Sequence, residues 1–288
     1  MAEGGFGIVL FLGLDGGGTG CRAAVVDAAG AVLGQAEAGP ANIASDPDMA
    51  LANILKVARL SLAAAVGEGR VEAELPNLIA GMGLAGANAE GAVGRLTARL
   101  PFVARVETDA FAAVKGALGT QDGVVAALGT GSVFARQVAG KIRQIGGWGL
   151  VLGDEGSGAW LGRALLAQGL RAVDGFRPMT PLLRAVIDDH GGPAGVVTFA
   201  QDARPADFAA LAPRLLAGDD PAAVELLAQA KADVTRFIAI LQSDPPLPVV
   251  FLGGLGQILA ARLAGRWQIL SARGTVLDGA LQIAREGG

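Results

Sequence analysis

Asp15-Gly16-Gly17-Gly18-Thr19 stands between two apolar runs, Ile8-Val9-Leu10-Phe11-Leu12-Gly13-Leu14 and Cys21 to Asp27. The first run is short and rich in β-formers, so it reads as a buried strand. The second reads as a strand too, so the glycines join strand to strand. A dinucleotide fingerprint is thereby excluded, because a helix would have to follow. A Walker loop is excluded because Gly-x-x-x-x-Gly-Lys-Ser/Thr is missing. Glycine tolerates positive φ and lets backbone N–H groups close on an anion. Three glycines beside one carboxylate and one hydroxyl suit phosphate oxygens and a hydrated Mg²⁺, which keeps several waters. The bland alternative is a plain hairpin with a bulge, but two-residue hairpins rarely need three glycines after a buried Asp.

Outward from this turn the elements follow a regular order. A third strand, Ala31 to Ala38, completes an antiparallel meander. Asp46-Pro47 opens a helix to about Val66. Then come strand Asn77 to Leu84, helix Asn88 to Leu100, strand Phe102 to Glu107 and helix Asp109 to Leu118. The order βββαβαβα then restarts. Val124 to Leu128 ends in Gly129-Thr130-Gly131-Ser132, and strands Val133 to Val138 and Lys141 to Ile145 follow. A glycine-rich loop leads into a helix from about Asp154 to Ala172, and 178–242 reads as a helical insertion. Strand Pro248 to Leu252, helix Gln257 to Leu263, strand Trp267 to Leu270 and helix Val276 to Arg285 close the chain. The repeat is one of element order. It predicts an α/β protein of two lobes, 1–118 and 119–288, with the last helix free to pack back on the first lobe. A ligand cleft is expected between the lobes.

Composition narrows the function. The net charge is −4, with 23 Lys+Arg and 27 Asp+Glu and no basic run, so a nucleic-acid partner is not expected. One cysteine and one histidine, Cys21 and His190, exclude an internal disulfide, a cysteine metal cage and a His-rich site. Met1-Ala2-Glu3-Gly4 has no basic region, and the first apolar run is too short for a bilayer. A soluble protein of a reducing compartment, the cytoplasm, is expected. Glycine is 45 of 288 residues, roughly twice the usual share. Roughly a third of them cluster in four strand-end loops, where backbone could touch a ligand. The scattered remainder carries no reading beyond composition.

Single residues admit two readings each. Asp109 sits at a strand's carboxyl end, where a base would face the cleft, yet Thr108 or Asp109 is also a natural N-cap. Trp148, in Gly146-Gly147-Trp148-Gly149, either seats a sugar face or plugs core. Asp154 caps the next helix or accepts hydroxyls. Glu155 binds a polar group or faces solvent. Asn42 is a turn residue by default. Leu252-Gly253-Gly254 removes side chains where a flat ring or ribose could lie.

These motifs, in this order on a duplicated plan, resemble the actin/hexokinase/Hsp70 superfamily. Within it the chain looks like the BadF/BadG/BcrA/BcrD ATPase group, and most like its N-acetylglucosamine and bacterial glucosamine kinases. The resemblance rests on Asp15 to Thr19, Ala41-Asn42, Thr108-Asp109, Gly129 to Ser132, Gly146 to Gly149, Gly153 to Gly158 and Leu252 to Gly254. It implies two ribonuclease H-like lobes and transfer of phosphate from ATP to the 6-hydroxyl of an amino sugar. It implies that Asp15 organises Mg²⁺ through water while Gly16, Gly17, Gly18, Thr19, Thr130 and Gly131 hold the phosphates. Gly253 and Gly254 would meet adenosine. Asn42, Asp109, Gly147, Trp148 and Asp154 would bind the sugar, with Asp109 as base. The group's usual homodimer forms through the second lobe. Val133-Phe134 departs from the animal enzymes, which leaves unacetylated glucosamine open. An ATPase activator of a 2-hydroxyacyl-CoA dehydratase is the alternative, and a single cysteine disfavours its shared iron–sulfur cluster.

Overall fold

A computed structural model describes residues 9–287, and the readings made on Met1 to Ile8 lie outside them. The chain divides into two units, Met1–Gln121 with Ala272–Gly288, and Asp122–Ser271. The boundary therefore lies three residues beyond the expected 118/119, and 272–288 joins the first unit rather than the second.

In the first unit, β1 (Phe11–Gly16), β2 (Cys21–Val26), β3 (Val32–Ala38), β4 (Ile79–Leu84) and β5 (Val103–Thr108) form one sheet. Its order is β3-β2-β1-β4-β5. The two hairpins make β1 to β3 antiparallel, while β4 and β5 run parallel to β1. Helix α1 (Pro47–Val66) starts where Asp46 accepts the Met49 N–H at 3.0 Å and Pro47 presets the first turn. It is long and apolar enough to cross a membrane by composition alone. Here Ile54, Val57, Ala58 and Leu62 are fully buried in the core beneath β2 and β3. After α2 (Val71–Glu74) and α3 (Ala92–Thr97), α4 (Asp109–Leu118) follows β5 directly.

The opposite face of this sheet explains why the C-terminal helix (Val276–Glu286) belongs here. Gly13 and Gly81 are register partners on β1 and β4, and a Cβ on either would collide with that helix at Leu281 or Ala280. Gly116 of α4 and Gly279 of the C-terminal helix likewise press backbone on backbone. Buried Lys115 of α4 then meets Glu286 at 2.8 Å. These glycines are close-approach positions, which corrects their dismissal as composition.

In the second unit, β6 (Gly123–Leu128), β7 (Ser132–Val138) and β8 (Lys141–Gly146) form the antiparallel half of a second sheet. Next in the chain come α5 (Gly158–Val173), α6 (Pro181–Asp189), α7 (Pro193–Asp202), α8 (Pro205–Ala209), α9 (Ala212–Leu216) and α10 (Pro221–Leu241). They are followed by β9 (Val249–Leu252), α11 (Gly254–Arg262) and β10 (Ile269–Leu270). The strand order β10-β9-β6-β7-β8 repeats the first sheet's plan. Phe134 of β7 stacks on Phe237 of α10 with centroids 4.5 Å apart, fixing that helix on the sheet. The helical insertion thus stands where it was expected, as α6 to α10.

Candidate functional site

Parallel pairing of β1, β4 and β5 brings their carboxyl ends, Gly16, Leu84 and Thr108, to one end of the first sheet. There the Ala85 N–H donates to the Gly16 carbonyl (2.8 Å) and the Ala41 N–H to the Gly17 carbonyl (2.9 Å). The turn closes on itself through the Gly17 N–H and the Gly20 carbonyl at 2.9 Å. None of Gly16, Gly17 and Gly18 has positive φ, so that reason for the glycines is corrected. Gly16 is a packing position, since a Cβ would lie 2.7 Å from Leu84 Cδ2 and 2.9 Å from Ala41 Cβ. Gly18 has no protein atom within 4 Å of a Cβ, and Gly17 has only the Gly20 carbonyl at 3.9 Å. These two leave open space over their backbone, and no demand of the fold accounts for them. Thr19 is exposed beside them.

Asp15 is held by Arg22, its cross-strand partner. Arg22 Nε and Nη2 both donate to Asp15 Oδ2, at 3.0 and 2.9 Å. Both residues line a cleft of about 440 Å³ together with Gly17, Thr19 and Glu37. No motif marks Arg22, although it is the single charge in an otherwise apolar strand directly opposite Asp15. Among the described residues no three His, Cys, Asp or Glu gather to form a metal cage. One carboxylate with its second oxygen unengaged fits a metal held through water, with phosphates completing the shell.

Asn42 forms the turn expected by default, its Oδ1 accepting the N–H groups of Ala44 (3.0 Å) and Ser45 (3.1 Å). Its side-chain NH₂ has no partner among the described residues. At Asp109 the two readings separate. Thr108 caps α4 by accepting the Phe111 N–H at 3.1 Å, so Asp109 is not needed as the cap. Asp109 Oδ1 accepts the Ala110 N–H at 2.8 Å, while Oδ2 has no partner in an exposed position.

In the second unit, β6 and β9 run parallel, so Gly129 to Ser132 and Gly253-Gly254 share one end of that sheet. Gly253 has φ +80°, and a Cβ there would collide with the Leu128 carbonyl. Gly254 opens α11, three residues earlier than expected, with nothing within 4 Å of a Cβ. The N–H groups of Gly158 and Ala159 donate to the carbonyls of Gly129 (2.8 Å) and Thr130 (3.0 Å), tying α5 to the turn. Thr130 is exposed and Gly131 is half-buried.

Asp154 does not cap α5. That helix begins at Gly158, and Ser157 Oγ accepts the Trp160 N–H at 3.1 Å. Instead Asp154 adopts φ +61° and is 7% exposed. Burial pushes its carboxyl up, with the Glu155 charge adding, while the N–H groups of Ser132 and Gly149 oppose the rise. One carboxylate therefore links the Gly131-Ser132 turn to the Gly147-Trp148-Gly149 loop. Gly147 has φ +73°, with Val133 Cγ2 3.2 Å from a Cβ. Trp148 is 74% exposed and fills no core. Glu155 gives its backbone carbonyl to Ser132 Oγ at 3.0 Å. Away from these loops, His190 ends α6 with Nδ1 2.7 Å from the Val186 carbonyl, and burial pushes the Cys21 thiol up to about 11.

A family model described as the BadF/BadG/BcrA/BcrD ATPase family matches residues 12–266. The glucosamine kinase GspK of Vibrio cholerae is 32% identical over 282 residues, 95% of each chain. A crystal structure assigned as an N-acetylglucosamine kinase from Chromobacterium violaceum is 34% identical with a TM-score of 0.83. It covers 96% of this chain, which in turn covers 99% of it. A ROK family glucokinase from Streptomyces griseus, in complex with glucose and AMPPNP, shares the fold at 19% identity. Its TM-score is 0.54, over 97% of this chain and 100% of that one.

Proposed function

The chain belongs to the BadF/BadG/BcrA/BcrD ATPase family, and from that premise we propose that it is a carbohydrate kinase transferring phosphate from ATP to the 6-hydroxyl of an amino sugar, glucosamine or N-acetylglucosamine. The observation that carries this reading is Asp109. Its carboxylate has one oxygen fixed by the Ala110 N–H and the other free, at the strand end that also bears the Asp15 turn. Phosphoryl transfer asks for a positioned hydroxyl, a nearby proton acceptor and neutralised phosphate charge. In the proposed mechanism, Asp109 Oδ2 takes the proton of the sugar hydroxyl as it attacks. The open backbone at Gly17 and Gly18, with Gly16 and Thr19, holds phosphate oxygens, and Thr130 and Gly131 supply a second set of contacts. Asp15 would hold Mg²⁺ through water, and the ion would supply charge neutralisation at the phosphates. Arg22 keeps the Asp15 carboxylate in place and adds a cation to the same cleft.

Gly253 and Gly254 would take adenosine against bare backbone. The sugar would take Asn42 through its free amide, together with Gly147, Trp148 and Asp154. A cytoplasmic location and a homodimer through the second unit belong to the same reading. The dehydratase-activator alternative gains nothing here, because the single cysteine is buried with its thiol pushed up to about 11, far from a ready metal ligand.

The test is Asp109→Asn. Loss of the general base is expected to lower kcat by about 10²–10⁴, with the melting temperature and ATP affinity unchanged. Near-normal turnover in the folded variant would remove Asp109 from this role.

A further inference from the structure

The second unit holds a groove that none of the chemistry above uses. It has a volume of about 620 Å³, within the range of small-molecule sites. Its floor is apolar, made by Leu166 of α5, Val196 of α7 and Phe208 of α8, all at least nine-tenths buried. Leu150 and Val151, which follow the Trp148 loop in the chain, also line it. Gly162 lets α5 and α8 meet closely beneath it, since a Cβ there would collide with the Phe208 carbonyl.

Charge says what could fill it. Arg163, Leu166, Ala167 and Leu170 lie on one face of α5 and all line the groove. Arg163 is exposed at this rim and has no hydrogen bond or ion pair with any described residue. Asp207, the acid of the α8 wall, is already engaged by the Arg204 backbone N–H at 2.7 Å. Gln201 is the one other polar side chain among the lining residues. We propose that this groove binds an amphipathic monoanion, a medium-chain carboxylate whose hydrocarbon lies on Leu166, Val196 and Phe208 and whose head group pairs with Arg163. The site is distinct from the amino-sugar residues and does not depend on that reading.

The test is calorimetric titration of the full chain with sodium octanoate, using octan-1-ol as the uncharged control. Saturable binding of one octanoate per chain is expected. Arg163→Gln should weaken octanoate about tenfold, the worth of one charge-assisted hydrogen bond, and leave octanol unchanged. Ala167→Trp, placing an indole over the groove from an exposed position, should abolish binding of both, with each variant's melting temperature at the wild-type value. Absence of saturable binding, or octanoate binding that survives both substitutions, would overturn the proposal. So would a wild-type dimer that Ala167→Trp dissociates, since a second copy would then cover the groove.

Discussion

Gly16 and Gly18 are two residues apart in one turn, yet the structure assigns them different tasks, and alanine separates the two. At Gly18 a new Cβ meets no protein atom within 4 Å, and φ is not positive. The fold should notice nothing, with stability within about 0.5 kcal/mol of wild type. The methyl would instead stand over backbone proposed to receive phosphate. Loss of one hydrogen bond to a charged group costs roughly 1.5–3 kcal/mol, or about 10- to 150-fold in kcat/KM for ATP. At Gly16 the Cβ would lie 2.7 Å from Leu84 Cδ2 and 2.9 Å from Ala41 Cβ. Overpacking of this kind costs roughly 1–3 kcal/mol of stability. Thermal melts and ATP-dependent turnover of both variants decide the matter. A Gly18→Ala enzyme with wild-type kcat/KM, or one as destabilised as Gly16→Ala, would refute the division between open and packed glycines.

Two further predictions concern buried charge. The raised carboxyl of Asp154 means the folded state holds its proton more tightly than the unfolded chain. Stability should therefore fall as pH rises from about 3.8 through the raised value and stay lower above it. Asp154→Asn should remove that fall in a Tm–pH series and melt no lower than wild type at pH 7, and an unchanged profile would contradict this. Burial acts to raise the Glu286 carboxyl, but bonds from Lys115 and Gln282 pull it below its ordinary value. Its contribution is present above pH 4.5 and lost as pH falls through the lowered value. Glu286→Gln strands Lys115, whose side chain is 6% exposed, and should cost about 1–2 kcal/mol at pH 7. That is less than for a fully buried pair, because Glu286 is 36% exposed and partly screened. The deficit should vanish in acid.

The element order was legible because apolar runs of six or seven residues ending in glycine have few other readings. Asp46-Pro47 likewise announced α1 by local chemistry alone. The Asp154 to Gly158 segment was not legible as it stands. Asp154 and Gly156 take φ of +61° and +78°, so the helix starts only at Gly158, and no propensity rule displays a left-handed Asp. The scattered glycines were opaque for a different reason. Gly13, Gly81, Gly116 and Gly279 matter through what presses on them, and Ala280 of the C-terminal helix does so to Gly81 from some 200 residues away in sequence (280 against 81). Arg22 was hidden by register, since its importance follows from standing opposite Asp15. At the candidate site, Asp15, Asn42 and Asp109 could be placed at one sheet end from strand order, whereas the burial of Asp154 could not.

Amino-sugar phosphorylation is checked by an ADP-release assay over a panel of hexoses and amino sugars, with and without Mg²⁺. Turnover is predicted to be higher with glucosamine or N-acetylglucosamine than with glucose and to vanish without the metal. Product analysis should place the phosphate on the 6-hydroxyl. ADP release with no sugar dependence, or activity that persists after the metal is removed, would contradict the account.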